Sequence, residues 1–192
     1  MVQYLTALSH IILAGTGLYC FKSVDDMFCK FAYGIITFHS LLGIWRWGNP
    51  SYGHKIDTHY RLTSKLQDFL VLPGIVTTIW LKYNYFPNLA YSHNVIALVP
   101  LLLYLYEKRN NEPLEDLFLG GNLLSLLLVS TMNSNYYGIT ASLSFVLSYF
   151  VIKREVINIL SIDVPIHDLF NYSMCFFVLF ARNAILDPVA FV

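Results

Sequence analysis

Charge is what this chain has least of. Of its 192 residues, 12 are Lys or Arg and 12 are Asp or Glu, together 12%, where soluble domains average about 25%. That scarcity excludes a sizeable soluble domain. The two signs balance, so no basic face is available for nucleic acid. Cysteine is also rare: Cys20, Cys29 and Cys175 show no CxxC spacing, so neither a disulfide framework nor a zinc knuckle is implied, and the one pairing left open is Cys20 with Cys29 across a short loop. The longest gap in charge is residues 117–152, which hold no Asp, Glu, Lys, Arg or His. As one helix this stretch would be about 54 Å long, far more than a hydrocarbon core of ~30 Å. Asn133, Ser134 and Asn135 interrupt it near the middle, and Asn and Ser form turns by bonding nearby backbone. The stretch therefore predicts two membrane helices joined by a tight turn.

What fills the chain instead is apolar: 56% hydrophobic residues and a mean hydropathy of +0.55. The expected fold is all-α, a single domain over 1–192 built as a polytopic bundle of seven transmembrane helices with short loops. The first span is read over 2–21, retained rather than cleaved because no basic segment precedes it. The next three are read over 31–47, 69–85 and 89–106, the fifth and sixth as the uncharged hairpin, and the seventh from about Pro165 to Leu186. The longest polar loop is 48–67, with 57–67 expected as a short interfacial helix. Asp68 opens the third span and Pro73 falls in or near its first turn, where a missing N–H matters least. Residues 156–162 are apolar but too short to span, and are expected along the interface.

With seven spans, the N-terminus and the loops after spans two, four and six carry eight of the 12 Lys and Arg. The positive-inside rule then puts the N-terminus in the cytosol and the C-terminus in the lumen. Most uncharged cores run sixteen to eighteen residues, which suits the thinner endoplasmic reticulum or another endomembrane. No internal repeat marks a repeat-built transporter.

Ionisable groups at membrane depth are costly and therefore candidates for chemistry. His39 sits near the middle of span two and shares a helical face with Gly43 and Arg46. A neutral His there can ligate a metal, move a proton or bond a neighbouring carbonyl. Asp68 at the start of span three, and His167 and Asp168 at the start of span seven, lie on the same cytosolic side. Asp168, Asn171, Cys175 and Arg182 form a polar stripe at helical spacing. Such a stripe must face protein or water, as the wall of a polar cavity or as a seam between helices. Arg46, between Trp45 and Trp47, is expected to turn inward and pair with Asp68 or Asp168.

Phe38-His39-Ser40, then Asp68, then His167 resemble isolated positions of the alkaline-ceramidase and progestin-receptor-like hydrolase superfamily. The resemblance implies seven spans and a zinc ion held in part by His39 and His167, activating water against a lipid amide or ester. It implies catalytic roles for His39, Asp68 and His167, and Asp168, next to His167 on the same side, is a fourth catalytic candidate. The superfamily's late His-x3-His pair is represented by His167 alone, with Asp163 and Asn171 at the flanking positions.

Three functions follow as expectations. The first is a non-enzymatic accessory or scaffold protein with no cofactor, because small residues on spans one and six suit helix–helix contact and no catalytic constellation is complete. Its partners would be the lipid bilayer and a membrane protein or a second copy. The second is a zinc-dependent lipid hydrolase. The third is a small solute or proton transporter routed along the polar stripe.

Overall fold

The computed structural model describes residues 2–49, 51–107, 112–154 and 165–187. Among these it holds helices and no strand: α1 (Val2–Ser23), α2 (Met27–Gly48), a 3-10 turn (Gly53–Ile56), α3 (Asp57–Lys82), α4 (Pro87–Glu107), α5 (Glu112–Met132), α6 (Tyr136–Phe145, continued as a π-helix over Val146–Lys153) and α7 (Ile166–Leu186). Five of the seven helices, α1, α2, α4, α5 and α7, are long and apolar enough to cross a membrane. That is the pattern of an integral membrane protein. Their outward faces are apolar, as at Leu8, Leu41, Val95, Leu102, Leu128 and Phe176, and such faces are the surface that meets lipid.

The expectation of seven such helices is met only at this coarser level, and α3 shows why. It begins eleven residues before Asp68, because the expected interfacial helix 57–67 and the third span are one helix. Its charged first half lowers its hydropathy. Its second half is the centre of the bundle, with every residue from Val71 to Ile79 buried. It packs against α2, α4, α5 and α7. A helix apolar all round belongs inside the protein. Pro73 thus lies deep in the helix and not in its first turn. Gly74 lets α2 approach: a Cβ there would sit 3.1 Å from the Phe28 carbonyl oxygen and 3.3 Å from Ala32 Cβ. Thr77 and Thr78 are the polar exceptions. Thr77 donates to the Ala90 carbonyl at 2.9 Å, and Thr78 bonds Asp26, the residue that caps α2 through the amides of Phe28 and Cys29.

The uncharged stretch folds as helix, tight turn and helix, although of the two only α5 is among the helices long and apolar enough to cross a membrane. α5 ends at Met132, Ser134 adopts a left-handed φ of 52°, and α6 starts at Tyr136. Asn135 is the reason the turn holds. Its Oδ1 accepts from the Gly138 amide at 2.9 Å, capping α6. Its Nδ2 donates to Tyr83 Oη at 2.9 Å and to the Ala184 carbonyl at 2.8 Å. Lys82 reaches the same place, donating to the carbonyls of Ala184 at 2.7 Å and Asp187 at 2.5 Å. A cation there complements the C-terminal end of the α7 dipole. Residues 156–162, expected along the interface, lie outside the described residues.

Candidate functional site

The ends of the helices separate by chemistry. The C-terminal ends of α2 and α6 and the N-terminal ends of α3, α5 and α7 meet around a cavity of about 660 Å³. Five basic and four acidic side chains line it, and ion pairs organise them. Lys153, the last residue of the π-helix, pairs with Asp68. Lys65 donates to both oxygens of Glu115, at 3.0 and 3.1 Å. Arg154 reaches Glu112 at 3.1 Å, Asp116 at 2.5 Å and Glu115 at 3.9 Å. Burial alone would lower the Arg154 pKa, but its hydrogen bond to Asp116 and the charges of Asp116 and Glu112 hold it above its ordinary value. Asp68 and Glu115 are only 5% and 3% exposed. Burying a carboxylate this deep is costly unless such a partner compensates it.

Arg46 differs from expectation. It pairs with Asp57, the first residue of α3, and not with Asp68 or Asp168. The cause is local. The expected 48–67 loop is only a tight 3-10 turn, and Gly53 packs onto the Arg46 carbonyl where a Cβ would not fit. That folds Asp57 back onto the end of α2. Arg46 also lies over the Trp47 ring, 4.6 Å from its centre. Asp68 is likewise not a helix-opening acid. It is buried in mid-helix and held by Lys153, so the helix dipole does not account for it.

Behind the cavity lies a buried cluster of rings. His39 Nδ1 is 2.9 Å from Thr63 Oγ1. That hydroxyl can give its one proton to the carbonyls of His59 or Tyr60, each 3.0 Å away, which leaves His39 Nδ1 as the donor to Thr63. The His39 ring stacks on Tyr60 at 4.7 Å. Tyr60 Oη is 3.1 Å from His10 Nε2, and His10 meets His39 edge-on at 5.7 Å. Gly43 makes the space, since any Cβ there would overlap the His10 ring.

The polar stripe of α7 proves to be a seam with α1. Asn171 Nδ2 donates to Ser9 Oγ at 3.0 Å. The Ser9 hydroxyl in turn is shared between Asp168 Oδ1 at 3.2 Å and the Thr6 carbonyl at 2.8 Å. Arg182 Nε donates to Ser23 Oγ at 2.7 Å, and its guanidinium lies over Tyr19 at 4.9 Å. Cys175, between them, is buried. Ser9 and Ser23 are spaced by fourteen residues, as are Asp168 and Arg182, so the two parallel helices are zipped in register.

Of the four catalytic candidates, Asp68 and His167 line the cavity, whereas His39 and Asp168 do not. His167 sits near Trp47, with ring centres 5.9 Å apart. Among the described residues no three His, Cys, Asp or Glu side chains are grouped to hold a metal ion. Asp68 is engaged by Lys153 and His39 by Thr63. The zinc site implied by the resemblance therefore does not fit these side chains, and no step is derived through it. The groups that sequence reasoning missed are Lys65, Glu115, Lys153 and Tyr60. The one available signal was that Lys153 and Asp68 fall on the same side of the bundle.

A family described as a domain of unknown function, DUF4791, matches residues 26–182, which is most of the chain. The chain belongs to the DUF4791 family. No curated protein and no solved structure matches it. The region matched to DUF4791 contains every residue that lines the cavity, and leaves out Ser9 and His10 of α1.

Proposed function

We propose that this DUF4791 protein is a non-enzymatic accessory or scaffold protein of an endomembrane, the endoplasmic reticulum being favoured. In this reading all seven helices cross the bilayer. The N-terminus and the charged cavity face the cytosol, and the C-terminus is lumenal. The observation that carries the reading is that the candidate catalytic side chains have structural partners. Asp68 is bound by Lys153, His39 by Thr63, and Asp168 and Asn171 by Ser9. A general base must be within reach of a substrate proton, and His39 and Asp168, committed to helix contacts away from the cavity, do not meet that need. The eight basic residues that the sequence assigns to the N-terminus and the loops after spans two, four and six support the orientation. The buried centre of α3 supports its crossing inside the bundle, out of contact with lipid.

Purification in mild detergent is expected to recover either a stoichiometric membrane-protein partner or a homo-oligomer. A monodisperse monomer that hydrolyses a lipid amide or ester would overturn the proposal. The cavity itself favours a second reading, a small-solute carrier, because it is large enough for a polar ligand. The solute would enter at that end, since the α7 stripe is closed by α1. Flux in reconstituted vesicles that is abolished by Asp68→Ala would support it over the accessory role.

A further inference from the structure

Independently of any protein partner, we propose that the charged cavity is a binding site for a zwitterion that carries a primary ammonium and a phosphate, the chemistry of phosphoethanolamine. The volume of about 660 Å³ is that of a small-ligand site. The sign of its lining is informative. A simple anion would meet four carboxylates, and a simple cation would meet five bases. A ligand with both charges is complementary to both sets.

The atoms left over by the ion pairs say where each charge goes. Asp68 is only 5% exposed. Its Oδ1 is taken by Lys153, while its Oδ2 is buried and has no hydrogen-bond partner. A buried carboxylate oxygen in that condition calls for a donor. On the donor side, Arg154 Nε is buried and likewise unpartnered. Arg61 lines the cavity, is exposed, and has no carboxylate partner among the described residues. Guanidinium groups match phosphate oxygens in geometry and charge. The π-helix contributes as well: it presents Tyr149 and Lys153 to the cavity, and π segments are frequent at functional sites.

The need for a donor sets the selectivity. A primary ammonium has N–H groups for Asp68 Oδ2, whereas a quaternary ammonium has none. Phosphoethanolamine is therefore preferred over phosphocholine. Its source is either a free metabolite or the headgroup of a membrane lipid. The exposed Trp45 beside the cavity end is the kind of residue found at headgroup depth.

The test uses the full chain in detergent and in nanodiscs. In detergent, titration with O-phosphoethanolamine is expected to give saturable binding. Phosphocholine, ethanolamine and inorganic phosphate should each bind about tenfold more weakly, the effect of losing one charge-assisted contact. In nanodiscs, the melting temperature should be higher with phosphatidylethanolamine than with phosphatidylcholine alone. Binding in the first arm points to a free ligand, binding only in the second points to a lipid headgroup, and either supports the proposal. Arg61→Gln, at an exposed position outside the ion-pair network, should weaken binding about tenfold without altering the fold. Asp68→Asn should abolish the preference over phosphocholine. Binding in neither arm, inorganic phosphate binding as tightly as phosphoethanolamine, or an Arg61→Gln protein that binds normally would each overturn the inference.

Discussion

Lys153→Met lowers the melting temperature of the purified protein by about 10 °C in the expected result, because it strands the buried carboxylate of Asp68. Asp68 is 5% exposed, and Lys153 is its only charged partner among the described residues. Removing one member of a buried ion pair costs about 3–5 kcal/mol, most of it the penalty of leaving the other charge unpaired. The double variant Asp68→Leu, Lys153→Met removes both charges and should recover much of the loss, because the desolvation penalty disappears with the pair. A thermal double-mutant cycle in one detergent measures this coupling. Additive losses would mean that the two side chains do not pair in the folded protein.

The second large effect is expected at Gly43. His10 is fully buried between α1 and α2, and a Cβ at position 43 would lie 2.5 Å from His10 Cε1. The ring has little room to yield, because Tyr60 holds its other edge. Gly43→Val should therefore force the two helices apart and destabilise the bundle by about 1–3 kcal/mol, the usual range for overpacking. Adding His10→Ala removes the obstacle and should restore part of the stability. Thermal unfolding of the single and double variants, followed by tryptophan fluorescence, checks this. A Gly43→Val protein as stable as the parent would show that α1 and α2 are not packed at this point.

The parts of this fold that could be read in the sequence are those written in local patterns. The turn at Asn133–Asn135 stood out because three small polar residues interrupt an otherwise uncharged stretch. The face shared by Asp168, Asn171 and Arg182 was visible as helical spacing. Its partner was not, although Ser9 and Ser23 carry the same fourteen-residue interval on α1. Pairing between distant helices has no local signature. Asp68 was misplaced at a helix start because hydropathy changes there while the helix does not. The amphipathic turns from Asp57 onward run straight into the buried centre of α3. The same error sent Arg46 to the wrong acid, since a long loop would have kept Asp57 away. The π-helix over Val146–Lys153 also leaves no mark in composition, yet it carries the lysine that neutralises Asp68.

The proposed orientation puts the charged cavity on the cytosolic side and the α5–α6 turn on the opposite side of the membrane. Cysteine labelling in sealed, cytosol-side-out microsomes tests this directly. The three native cysteines are all buried and should remain silent towards a membrane-impermeant maleimide. Ser64→Cys lies in the cavity lining, and Ser134→Cys lies at the exposed turn between α5 and α6. The account predicts that Ser64→Cys is labelled in intact vesicles, and Ser134→Cys only after they are permeabilised. Labelling of both in intact vesicles, or of Ser134→Cys alone, would contradict it.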